Sequence, residues 1–235
     1  MIQQNLSGPI LSERTAVEPL DVELIRALKN PPLVELTPDD IYVRRVRLAG
    51  DRVDAYGGRF RAEDLPRLLK MTEGLPLLIG HRKDTLGIAR FFDGGIEDYE
   101  GAHYIVPRFY WLKKHSAAED LRLSLDGGLV TQASLSFSFK RPTCSVCGED
   151  IRTCAHQIGK TYLGCPQPCF YYYDEIMRVN EGSLVYQGAE PGTGIQLSLS
   201  AEPFDPAGKL RIKFNGRWFL AIPADRKIEN PQEAQ

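Results

Sequence analysis

No apolar run in this chain approaches the ~18 residues that a membrane-spanning helix requires. The opening stretch, Met1 to Ser12, also lacks the charged-then-apolar order of a secretory signal. Both absences argue for a protein made and kept inside a cell. Charge of one sign is missing too: Lys+Arg 29 stands against Asp+Glu 31, a formal net charge of -2. So balanced a chain lacks the basic surplus that favours nucleic acid or anionic membrane surfaces, and any such binding would need a local patch. No internal repeat is visible at periods of about 20 to 50 residues, which excludes solenoids and propellers. Cysteine is absent everywhere except between Cys144 and Cys169, where all five are packed. An odd number in one short stretch excludes the disulfide framework of a small secreted domain.

What is present is the composition of a soluble globular protein, 43% apolar and 26% charged over 235 residues. That length is ordinary for one β-rich domain or two smaller ones. Residues 1 to 38 read as an N-terminal arm or linker carrying one short helix, Val22 to Leu28, which ends at Asn30-Pro31-Pro32. From Asp40 the pattern turns to period two. Strands are predicted at Ile41 to Leu48, Leu75 to Ile79, Gly87 to Phe92, Tyr104 to Tyr110, Leu129 to Phe139, Tyr171 to Met177, Ser183 to Tyr186 and Ile195 to Leu199. Short helices are predicted at 62 to 71, with acids first and bases last, and at 116 to 125. Asn215-Gly216, between Leu210 to Phe214 and Arg217 to Ile222, is a strong hairpin signal.

Cys144-Ser-Val-Cys147-Gly has the spacing of a chelating knuckle, and Cys154-Ala-His156 completes a C-x2-C-x6-C-x-H set. Three thiolates and an imidazole suit tetrahedral Zn²⁺. With all four ligands supplied by protein, no position remains for water, so a structural zinc is expected at Cys144, Cys147, Cys154 and His156. Cys165 and Cys169 are surplus; either could replace one of the four or stay a free thiol.

In Leu129 to Phe139, Ala133, Leu135, Phe137 and Phe139 alternate with Gln132, Ser134, Ser136 and Ser138. The serine row reads as the wet side of a sheet. A serine becomes a nucleophile only where a base can take its proton. Of the four histidines, His156 belongs to the cysteine cluster, while His103 and His115 read as exposed. His81 stands at the end of a predicted strand, after Leu75 to Ile79 and Gly80, where it would be presented over a sheet.

The order of these pieces resembles the prohead maturation proteases of tailed bacteriophages, in particular a branch with a cysteine-rich, zinc-type insertion; that family is in turn distantly similar to herpesvirus assemblins. The resemblance spans roughly residues 40 to 200. It is carried by Gly74-Leu-Pro-Leu-Leu-Ile-Gly-His81 with Leu86-Gly-Ile-Ala89, Arg108-Phe-Tyr110, Gly128 to Phe139 with Ser134-Leu-Ser-Phe137, the cysteine insertion, and Glu181-Gly-Ser-Leu-Val185 leading to Gly188-Ala-Glu-Pro-Gly192. It implies His81 as general base, Ser134 as nucleophile with Ser136 as the alternative, and Glu181 as the acid that orients the imidazole. It also implies a mainly β (α+β) fold: a closed β-barrel of the assemblin type with a few helices, a zinc-knuckle insertion and a C-terminal hairpin.

The expected organisation is therefore 1–38 arm or linker, 39–200 protease-like barrel including the 141–170 insertion, and 201–235 hairpin and tail. The expected function is a serine endopeptidase, a hydrolase, working inside the assembling prohead in the cytoplasm of an infected bacterium. Its partners would be the major capsid protein and scaffold as substrates, with no membrane, and oligomerisation is left open. Two other functions compete. One is a protease-like structural component of a phage particle without catalysis. The other, suggested by the cysteine cluster alone, is a zinc-stabilised nucleic-acid-binding module; there Arg141, Arg152 and Lys160 are offset by Glu149 and Asp150, and nucleic acid is disfavoured as a partner.

Overall fold

The computed structural model describes residues 2–11, 17–186, 210–214 and 217–221. The chain divides into two units, Met1–Gln196 and Leu197–Gln235. The first contains the strands β1 (Ile2–Leu11), β2 (Ile41–Val46), β3 (Ala49–Gly50), β4 (Gly58–Arg59), β5 (Pro76–Ile79), β6 (Ala89–Tyr99), β7 (Ala102–Leu112), β8 (Gln132–Cys144) and β9 (Tyr171–Val185). Its helices are α1 (Pro19–Arg26), α2 (Leu65–Thr72) and α3 (Ala118–Asp126). Among the described residues no helix is long and apolar enough to cross a membrane.

The nine strands form one mixed sheet in the order β2-β1-β8-β9-β5-β6-β7-β3, with β4 added beside β9 and a further pairing of β2 with β7. β5 and β4 run parallel to β9, and the other pairings are antiparallel. The sheet does not close into the β-barrel expected from the sequence. β2 matches β7 over five residue pairs but meets β1 over only two, Ile10↔Val46 and Leu11↔Arg45. The fold is thus a mainly β mixed sheet with three helices and a Cys/His insertion, not a closed barrel. Residues 1 to 38, expected as an arm, contribute β1, which lies between β2 and β8 and pairs with β8 from Ile2↔Phe139 to Pro9↔Gln132.

The apolar face of β8 is buried as its alternation predicts: Ala133, Leu135, Phe137 and Phe139 are fully withdrawn from solvent. Phe137 and Phe139 meet Phe60 and Tyr173 in a cluster with ring centroids 4.9 to 5.0 Å apart, the separation at which tilted and edge-to-face rings attract. α2 adds Leu65 and Leu68 to this core and α3 adds Leu121 and Leu125. α1 covers a separate apolar cluster in which Val22, Ile25 and Leu28 pack with Ile41, Val43, Phe92 and Tyr110. Arg108, part of the Arg-Phe-Tyr motif, forms an ion pair with the buried Asp21 of α1. That piece of the pattern therefore docks a helix.

Two strands expected at Tyr171 to Met177 and Ser183 to Tyr186 are one 15-residue strand, β9. Register shifts at Ser136/Phe137 and Ser138/Phe139 carry the β8–β9 ladder through the intervening polar residues; such irregularities break the alternation that marks a strand in sequence. The predicted strand Ile195 to Leu199 and the Gly188 to Gly192 segment lie outside the described residues. In the second unit, β10 (Leu210–Phe214) and β11 (Arg217–Ala221) pair antiparallel with Phe214 opposite Arg217, while Asn215 and Gly216 lie outside the described residues.

Candidate functional site

The site forms where β5 ends beside β9. Leu78 is matched with Ser183 and Ile79 with Leu184, and the Gly80 amide extends the ladder by donating to the Leu184 carbonyl at 2.8 Å. The chain then leaves the sheet through two successive left-handed residues, Gly80 (φ 61°) and His81 (φ 58°). Glycine tolerates that region freely, whereas histidine needs its surroundings to hold it there. Two contacts do so. The His81 backbone N–H donates to Ser183 Oγ at 2.7 Å, and His81 Nδ1 lies 2.7 Å from Glu181 Oε1. An ionised carboxylate only accepts, so toward such a partner Nδ1 is the donor, and in that neutral tautomer Nε2 has the free lone pair. Glu181 is 3% exposed, and its second oxygen, Oε2, is buried without a hydrogen-bond partner.

Ser134 sits directly across the β8–β9 ladder from Ser183, and Ser136 across from Glu181. Directly opposed residues project from the same face with Cβ atoms ~5 Å apart, so both candidate serines share a face with the two residues that hold His81. Among the described residues no hydrogen bond joins Ser134 to His81. Ser136 Oγ instead accepts from Asn180 Nδ2 at 3.3 Å. The serine row is not the wet side of the sheet. Ser134, Ser136 and Ser138 are 4%, 0% and 2% exposed, on a strand that pairs with β1 along one edge and β9 along the other. An open, mostly apolar groove of about 630 Å³ has His81 in its wall, with Ile79, Ile88, Leu121, Leu184 and Tyr186.

Sequence reasoning thus named His81, Ser134 and Glu181 but passed over Ser183. The signal was there: Glu181-Gly-Ser183 alternates along a strand, so whatever Glu181 faces, Ser183 faces too. Gly182 points the other way. A Cβ built there would lie 2.6 Å from the Phe91 ring, so the close approach of β9 to the core requires glycine.

The second cluster lies in the loop joining β8 to β9. The sulfur atoms of Cys144, Cys147 and Cys154 and a ring nitrogen of His156 all fall within 4.8 Å of one another, and could hold a metal ion such as zinc. Cys144 ends β8, and the chain turns around it: Gly148, at φ 75°, donates to the Cys144 carbonyl at 3.0 Å, and the Val146 amide donates to Cys144 Sγ at 3.4 Å. Burial works against the Cys144 thiolate, but amides of Cys147 and Val146 together with the Cys147 and Cys169 thiols hold it below its ordinary range. The donor set fits zinc, and a further observation agrees. His156 Nδ1 is buried with no hydrogen-bond partner. Of the two surplus cysteines, Cys169 is buried with its sulfur 3.9 Å from that of Cys144. Burial first, then the neighbouring Cys144, pushes its thiol up to about 11. Cys169 is thus packed beside the cluster and outside its four residues. His115 is exposed as expected, and His103, about half exposed, pairs with Asp51 at 2.8 Å.

Comparison with known family models, with curated proteins and with solved structures found no match to this chain.

Proposed function

We propose that the chain is a serine endopeptidase of the prohead-maturation type. The observation that carries this reading is the buried Glu181 holding His81 at 2.7 Å through Nδ1, with Ser134 one strand away on the same face. In this mechanism Ser134 Oγ attacks the scissile carbonyl and His81 Nε2 takes its proton, later returning it to the leaving amine. Glu181 fixes the tautomer and stabilises the imidazolium that forms. Cys144, Cys147, Cys154 and His156 would hold a structural zinc, which closes the β8–β9 loop and takes no part in proton transfer. Capsid and scaffold proteins would be the substrates, met at high local concentration inside an assembling shell.

A fluorophosphonate probe tests this on the full-length protein. The Ser134 oxygen would form a bond to phosphorus, fluoride would leave, and the hydroxyl proton would pass to His81. One adduct per chain on Ser134, absent from Ser134→Ala and His81→Ala, is expected by intact mass and peptide mapping. An adduct on Ser136 would move the nucleophile by two residues. No adduct on the wild type would favour the second reading, a protease-like component of a phage particle without catalysis, which the low exposure of Ser134 supports.

A further inference from the structure

We infer that Ser183 is a positioning residue for His81, acting through the backbone as Glu181 acts through the ring. This deepens the protease reading and rests on it for its effect on rate. His81 stands outside β5, two left-handed residues past the strand's last ladder pair. A non-glycine residue there persists only when its neighbours over-determine it. Its backbone N–H has a side-chain acceptor, Ser183 Oγ at 2.7 Å, contributed from 102 residues further along the chain.

Ser183 and Glu181 are two positions apart on β9 and so project from one face. Together they grip His81 at two separated points. One bond alone would leave the histidine free to swing about it, whereas two fix both where the imidazole sits and which way Nε2 is aimed. Ser183 is fully buried, and its oxygen is already engaged by the His81 amide, which suits it to anchoring better than to attack. Ser134, directly opposite it, has no such engagement among the described residues.

The experiment has two arms on the full-length protein. In the first, hydrogen exchange at the His81 amide is followed by NMR. Ser183→Ala should speed it at least about tenfold and Ser183→Thr, which restores a hydroxyl, should bring protection back. In the second, the maximal rate of fluorophosphonate labelling should fall roughly 10- to 100-fold in Ser183→Ala, with the concentration giving half-maximal rate little changed, and recover in Ser183→Thr. Unaltered zinc content and circular dichroism would show that both variants are folded. Unchanged exchange and labelling in Ser183→Ala would overturn the inference, as would a loss that Ser183→Thr does not restore, or an adduct on Ser183 itself. If the wild type is not labelled at all, the protease reading falls, and the exchange arm still decides whether Ser183 anchors His81.

Discussion

Glu181 and His81 are separated by 100 residues of chain and meet at 2.7 Å, the carboxylate buried and the imidazole partly open to solvent. A carboxylate that is 3% exposed and bonded through one oxygen only is costly to bury. In the proposed mechanism its task is to orient the His81 ring. Replacing Glu181 by Gln keeps the shape but presents the ring with a neutral amide and permits the wrong tautomer. Fluorophosphonate labelling should slow by roughly 10²- to 10⁴-fold without unfolding the protein.

Ser134→Ala and His81→Ala should each abolish labelling, and the double variant should be no worse than either, because residues acting as one unit fail together. Equal and additive partial losses would point instead to independent, indirect roles.

Gly182 links the site to the core. An alanine there would place its Cβ 2.6 Å from Phe91, forcing β9 outward between Glu181 and Ser183. Gly182→Ala should cost about 1–3 kcal/mol of stability in denaturant titration. Labelling should fall with it, because Glu181 and Ser183 move when the strand does.

Purified protein should contain about one zinc per chain. Cys147→Ser should reduce zinc content and lower Tm by roughly 5–10 °C, as metal-binding free energy is folding free energy for a loop with little core of its own. Cys169→Ser should keep the metal, since Cys169 stands outside the four-ligand cluster. Metal-free protein of unchanged Tm would overturn the zinc assignment.

Asp54 supplies a pH prediction. Burial raises its carboxyl above the ordinary value of 3.8, opposed by the Tyr173 hydroxyl and by amides of Gly58 and Tyr56 that donate to it. The folded state therefore holds this proton more tightly than the unfolded chain does. Its contribution leaves stability intact below the unfolded pKa and lowers it as pH climbs from there through the raised folded value. Asp54→Asn should flatten that part of the stability profile in thermal melts as pH rises above about 4, where the unfolded carboxyl ionises. The amide oxygen can still accept from Tyr56 and Gly58.

Much of the local structure was legible in the sequence. Period-two alternation marked β8 and its apolar face, and charge order marked α2, because these follow from side-chain direction and helix dipole alone. The C-x2-C-x6-C-x-H spacing marked the Cys/His cluster because its four side chains are close in the chain and need no distant element to bring them together. The three residues His81, Glu181 and Ser134 were named through a resemblance, and the alternation of Glu181 and Ser183 was available though unused. Other features were not local. That residues 2–11 join the sheet beside β8 depends on a pairing made some 130 residues away in sequence, and no window of sequence contains both partners. The burial of the serine row ran against serine's polarity and was not legible in the alternation. The left-handed turn that places His81 over Ser183 depends on the parallel match of β5 with β9. Composition and spacing thus determined β8, α2 and the Cys/His cluster by themselves. Tertiary pairing alone decided which face became enclosed and which histidine was gripped, because long-range strand contacts select among conformations that local chemistry leaves equal in energy.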